Sequence, residues 1–103
     1  MYIVVLVTTS SKKEAQKIAV SLIKQKLAAC VNVLDKVDSV FFWENKVQKA
    51  KEYLLIIKST RAKFTQITKL IKSLHSYKVP EIIAIPIIAG DKSYLRWIDA
   101  TLR

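Results

Sequence analysis

Apart from Met1, only two side chains in this sequence offer soft or borderline metal ligands, the single cysteine Cys30 and the single histidine His75. Thiolate with imidazole favours copper or zinc over magnesium or calcium. There is no Cys-x-x-Cys and no second histidine, so one chain cannot supply a closed four-ligand zinc set. A metal held here would need ligands from neighbouring subunits or solvent. The competing role for Cys30 is that of a small core residue in an apolar strand. A second grouping surrounds His75: between Leu74 and Ile87 lie the only histidine, both prolines (Pro80 and Pro86) and the isolated acid Glu81. The segment reads as a helix end, a polar corner and an apolar strand, where hydrogen-bonding side chains crowd a change of backbone direction. His75, Tyr77 and Glu81, with Lys58 at the end of the preceding strand, are suited to bind a small ion or polar ligand, or else to bond one another and the helix end. No nucleophile stands with a base and an orienting group, so an enzyme is not indicated. The single glycine, Gly90, excludes a Gly-rich phosphate loop.

The elements that must position these residues follow from periodicity. Ile3 to Val7 is an unbroken run of strand formers. Ser11 and Glu14 have capping-box spacing, and Ala15, Ile18, Ala19, Leu22, Ile23 and Leu27 recur at helical intervals with lysines between them. Cys30 to Trp43 has strand chemistry, with a phase break around Asp35 to Asp38 that a bulge would explain. Glu44 to Lys46 reads as a tight turn and Val47 to Ser59 as the returning strand of a long hairpin. Thr60 is placed to cap a helix carrying Phe64, Ile67, Leu70, Ile71 and Leu74. Ile82 to Ile88 is a fourth strand, which Pro86 assigns to an edge or a strand end. A short helix with Tyr94, Leu95, Trp97, Ile98 and Leu102 follows Gly90. The order β-α-β-β-α-β with a C-terminal helix predicts an α+β, ferredoxin-like split βαβ fold over residues 1–103 as one domain.

With 51% hydrophobic residues, one Gly and two Pro in 103 residues, the chain has ample core material and little that could serve as a linker. The N-terminal apolar run is too short for a signal h-region, and no stretch approaches the ~20 apolar residues of a membrane span. With a lone cysteine, these features lead us to expect an intracellular, cytoplasmic protein with no membrane partner. Net charge is +10, almost all of it dispersed lysine, which reads as a solvated coat and also suits heat adaptation. RNA-recognition domains share this element order, but Lys49 to Lys58 lacks their Gly-aromatic stacking pattern, which argues against nucleic-acid binding. A four-stranded sheet with helices on one face leaves the other bare. Here Ile3 to Val7 and Tyr53 to Ile57 present apolar residues to both sides, and Phe41, Phe42 and Trp43 lie far out on the hairpin. Patches of that size predict an obligate oligomer, with hairpin arms and sheet edges packed between subunits.

Three blocks together resemble the CutA (divalent-cation tolerance) family. They are Leu27-Ala28-Ala29-Cys30-Val31-Asn32, the hairpin pair Trp43-Glu44-Asn45-Lys46 and Glu52-Tyr53-Leu54-Leu55-Ile56-Ile57-Lys58, and His75-Ser76-Tyr77-Lys78-Val79-Pro80-Glu81-Ile82-Ile83-Ala84, with Tyr94-Leu95-Arg96-Trp97-Ile98 closing the chain. The resemblance spans nearly the whole sequence. It implies a non-enzymatic homotrimer, similar in architecture to the PII signalling proteins, that binds divalent metal, copper foremost, and no organic cofactor. By position, the metal ligand it implies is Cys30, with His75 as a second candidate, and Phe41, Trp43 and Glu52 fall at the trimer interface. The alternative role is a PII-like sensor or scaffold whose inter-subunit cleft, lined by Lys58, Tyr77 and Glu81, receives a small anionic ligand or a partner protein. Three departures stand out: Ser76 and Lys78 where the family corner reads His-Pro-Tyr-Glu, and Asn45 in place of the turn glycine. Asn tolerates positive φ, so the turn is expected to survive. A unit charge on Lys78 about 8 Å from a divalent ion, at an effective dielectric near 20, would cost roughly 4 kcal/mol. Metal binding at the corner therefore requires the lysine stem to swing into water.

Overall fold

The computed structural model describes residues 1–103. Strand β1 (Tyr2–Thr9) leads into helix α1 (Lys12–Lys24), and the hairpin of β2 (Cys30–Trp43) and β3 (Lys46–Thr60) follows. A 3₁₀ turn (Arg61–Lys63) enters α2 (Phe64–Leu74), then come β4 (Ile82–Pro86) and α3 (Lys92–Thr101). The four strands form one antiparallel sheet in the order β2-β3-β1-β4, which is the arrangement expected from the element pattern.

One face of the sheet is sealed. Ile3, Val5 and Val7 of β1 and Leu55 and Ile57 of β3 point to the same side and pack against Ala15, Ile18 and Leu22 of α1 and Ile67 and Ile71 of α2. The spacing that made each helix amphipathic is what docks it. The end of α1 is fixed by its own chemistry: Lys26 adopts φ 56°, its N–H donates to Ile23 O, and Leu27 N–H donates to Leu22 O. This pair of bonds is a Schellman closure with lysine where glycine would be easiest, and it places Leu27 in the core. Ser59 Oγ then donates to Leu27 O at 2.6 Å and Ala29 N–H donates to Lys58 O, which sets the start of β2.

The opposite face is not wholly bare, as the two-layer reading expected. α3 crosses its Tyr2 end, where Ala29, Ile98 and Leu102 form a small second cluster with Tyr2 and Leu95 against it, and Tyr2 O–H donates to Asp99. The rest of the face stays open, with Leu34, Ile83 and Ile85 exposed beside half-buried Val4, Leu6, Leu54 and Ile56.

Beyond β1 the hairpin continues alone. Val37 to Trp43 pairs with Lys46 to Glu52 as a two-stranded arm roughly 23 Å long, and the molecule measures 45 × 26 × 23 Å. The expected bulge lies between Leu34 and Val37, with Lys36 at φ 60°. It reverses the alternation of β2, so Phe41 and Trp43 share the open side with Glu52. At the tip, Glu44 and Asn45 have φ 51° and 64°, the two left-handed positions of a type I′ turn, so asparagine does replace the turn glycine. Two capping expectations change. Thr60 precedes the 3₁₀ turn without a side-chain cap bond, and the capping box is half built: Ser11 Oγ accepts from Glu14 N–H, while the Glu14 carboxylate turns elsewhere. β4 is an edge strand that ends at Pro86, short of Ile88.

Candidate functional site

The groups singled out in the sequence fall at two ends of the sheet. Cys30 pairs with Lys58, which pairs with Val4, whereas His75 bonds Thr8. Four residues of β1 separate these points, roughly 13 Å along the strand, so the chain does not bring its Cys30 and His75 into a common metal site. No three His, Cys, Asp or Glu side chains converge on a single point anywhere in the chain.

At the Cys30 end, the thiol is half-buried on the side of the sheet that carries α3, not in the sealed core. Lys58 Nζ lies 3.9 Å from Cys30 Sγ. Tyr94 of α3 is the third member; burial, together with the neighbouring Cys30, pushes its phenol above the usual range. Asp91 places Tyr94 by accepting its N–H at 3.0 Å as the cap of α3.

At the other end, the corner is tied by a chain of hydrogen bonds. The His75 side chain is fully buried. Its Nδ1 accepts from Tyr77 N–H at 3.0 Å, so the ring carries its proton on Nε2, which donates to Thr8 O at 2.7 Å. Both ring nitrogens are thus engaged, and His75 is a brace for the corner with no lone pair free for a metal. Glu14 completes the brace: its Oε1 accepts from Ser76 N–H at 3.1 Å, while Oε2 lies 3.5 Å from His75 Nδ1 without a hydrogen bond. Because Nδ1 is accepting, that approach is a neighbour contact and not an ion pair. The periodic pattern gave no sign of this role for Glu14, since its partner lies 62 residues away; the only signal was a corner with more donors than local acceptors.

Tyr77 carries the corner across to the arm. Its O–H donates to Glu52 Oε2 at 2.7 Å, and burial, reinforced by this bond and the charge of Glu52, pushes its pKa up to about 12. Between corner and arm opens a cleft of about 810 Å³, walled by Phe41, Trp43, Glu52, Tyr77, Lys78 and Glu81. Tyr77 and Glu81 therefore both line this cleft. Lys58 does not: it lies six residues along β3 from Glu52, roughly 20 Å away, because β3 runs the whole length of the molecule. Glu52, expected at a subunit interface, is 6% exposed within the chain itself, whereas Phe41 and Trp43 are 41% and 53% exposed on the arm.

Comparison with known proteins agrees with this architecture. Residues 3–101 match the family model described as CutA1 divalent ion tolerance protein. The divalent-cation tolerance protein CutA of Archaeoglobus fulgidus is 42% identical over 102 residues, covering 99% of both chains. The chloroplastic CutA 1 of rice is 45% identical over 98% of this chain, which spans only 57% of that longer relative. Among solved structures, the A. fulgidus protein, described as periplasmic, superposes with a TM-score of 0.97 over the full length of both chains at 42% identity. The rice structure gives 0.96 at 44% identity, covering 99% of this chain and 94% of that one. No helix here is long and apolar enough to cross a membrane. The chain belongs to the CutA1 divalent ion tolerance protein family.

Proposed function

We propose that this protein is a non-enzymatic, homotrimeric divalent-cation tolerance protein of the cytoplasm that takes copper through Cys30. The observation that carries the metal assignment is the position of the thiol: it stands half-buried on the open side of the sheet, where an inert core cysteine would be sealed under α1 and α2. A soft thiolate suits copper at one coordination position. The remaining positions fall to another subunit or to solvent, since no three His, Cys, Asp or Glu side chains gather there. Lys58 is the obstacle, and its long stem allows the ammonium to move outward as a cation enters. The open apolar face and the unsupported arm support assembly into the trimer, and His75 acts as the brace described above.

Calorimetric titration of copper into wild-type protein and Cys30→Ala tests the metal assignment. The variant should bind at least tenfold more weakly, and Lys58→Met should bind more tightly than wild type. Undiminished affinity in Cys30→Ala would remove Cys30 from the account.

The cleft supports a second reading, a PII-like sensor or scaffold that receives a small molecule or a partner segment between corner and arm. Its volume of about 810 Å³ lies within the range of small-molecule sites. The lining does not favour the anionic ligand expected from the sequence, because Lys58 is at the other end of the sheet and Glu44, Glu52 and Glu81 line the cleft against Lys78 alone. Thermal shifts across a small-molecule panel test it, and a flat response counts against it.

A further inference from the structure

We infer that the outer face of α1 and α2 binds the phosphate backbone of duplex DNA without reading its sequence. Basic residues that are dispersed along the chain are gathered by the fold. Residues 12–26 and 61–74, which span the helix layer, hold nine of the 18 basic residues and one of the 8 acids, Glu14. The rest of the chain divides nine against seven, so eight of the ten net charges sit on this layer. Its one acid does little to offset them, because the Glu14 carboxylate turns toward the corner and accepts from Ser76 N–H.

The helical repeat aims the charges outward. On α1, Ala15, Ile18 and Leu22 face the core, and at about 3.6 residues per turn Lys13, Lys17 and Lys24 project from the opposite side. They follow one another at about 6 and 10 Å along the axis. On α2, Ile67 and Ile71 form the buried side, and Lys69 and Lys72 stand away from it. All five lysines are exposed, and none takes part in the two close contacts between oppositely charging side chains, Lys51 with Asp38 and Glu14 with His75. The helices lie side by side on the sheet face opposite Cys30 and the open apolar surface. Assembly through that surface leaves the lysines outside and repeats them on each subunit.

Charge complementarity names the partner. Duplex DNA carries one negative charge per about 1.7 Å of axis, and a cation that neutralises a phosphate releases condensed counterions. Lysine is a point charge on a flexible stem, without the planar fork of arginine, so these rows hold phosphates and do not select base edges. Single strands are gripped by aromatic stacking, and neither helix exposes an aromatic ring. Stable attachment to an anionic membrane takes an apolar anchor beside the basic patch. Here the apolar stripes face the core, with Val20 and Ile23 the only large apolar residues that the two helices expose. The base-stacking sheet of RNA-recognition domains is a different surface, so the missing aromatic pattern in β3 does not bear on this one.

Fluorescence anisotropy tests the inference, with two labelled DNA duplexes of equal length and unrelated sequence titrated with the full chain between about 50 and 200 mM salt. Both duplexes should bind equally, and the five lysines predict a slope of log affinity on log salt of about −4. Lys17→Gln with Lys24→Gln and Lys69→Gln should weaken binding at least tenfold at the lowest salt. The same net charge reached by Lys46→Gln with Lys49→Gln and Lys92→Gln, all away from the helix layer, should weaken it less than threefold. Arginine at positions 17, 24 and 69 should keep the affinity, which separates loss of charge from loss of fold. No saturable binding at the lowest salt, an equal loss in the two glutamine variants, or loss in the arginine variant would overturn the inference. Tighter binding of single-stranded DNA, duplex RNA or phosphatidylserine vesicles than of duplex DNA would overturn it as well.

Discussion

The two faces of the same sheet are built from nearly the same residues and meet opposite fates. Val5, Val7, Leu55 and Ile57 turn toward α1 and α2 and are fully excluded from water. One residue along each strand, Val4, Leu6, Leu54 and Ile56 turn the other way and stay half-buried, with Ile83 and Ile85 of the edge strand exposed beside them. Strands that alternate apolar with polar residues would end at this layer. These do not, and α3 covers only the Tyr2 end of the second face, so the rest keeps apolar surface of the kind that marks an interface.

Four substitutions or titrations would break or sharpen the contrast. The largest effect belongs to the sealed face: Ile57→Ala opens a cavity in a dry core and should cost about 2–5 kcal/mol in denaturant unfolding. A loss below about 1 kcal/mol would mean that the core yields more easily than its packing implies. On the open face, Ile83→Lys with Ile85→Lys should leave the circular dichroism of the fold unchanged and lower the assembled mass in sedimentation. An unchanged mass would exclude this stretch of β4 from the contact. Next comes the corner. His75→Ala deprives Thr8 O and Tyr77 N–H of their partners, at about 1–3 kcal/mol for each group left unpaired, and should speed hydrogen exchange at Tyr77. His75→Gln would recover part of the loss if the side chain is a brace.

The smallest effect is confined to alkaline pH. Tyr77 ionises near 12 in the folded chain against 10.0 for a free phenol, so the folded state favours the neutral form. Its contribution is fully present below about pH 10 and is lost as pH rises through 12. Tyr77→Phe should flatten this decline in alkaline urea melts. An equal decline in the variant would show that another group is responsible.

What could be read from the sequence and what could not divides along contact range. Helices α1 and α2, the bulge near Asp35, the Glu44-Asn45 turn and the edge position of Pro86 are written in local spacing and turn chemistry, and each is where it was expected. Tyr77 and Glu81 line one cavity because they are neighbours in the chain. Within one chain Lys58 stands apart from them, because β3 runs from the cleft to the opposite end of the sheet, which nothing local in the sequence reveals. Glu14 read as a capping-box acid because Ser11 has the right spacing; its bond to Ser76 depends on how α1 and the corner meet. The burial of Glu52 and its bond from the Tyr77 hydroxyl are likewise tertiary facts.

The claim beneath both proposals is that the open face and the arm are incomplete in a single copy. Sedimentation equilibrium of the wild-type chain at micromolar concentration tests it directly. The proposed trimer predicts a mass three times the 11.8 kDa of one chain. A stable, folded species at 11.8 kDa would contradict it.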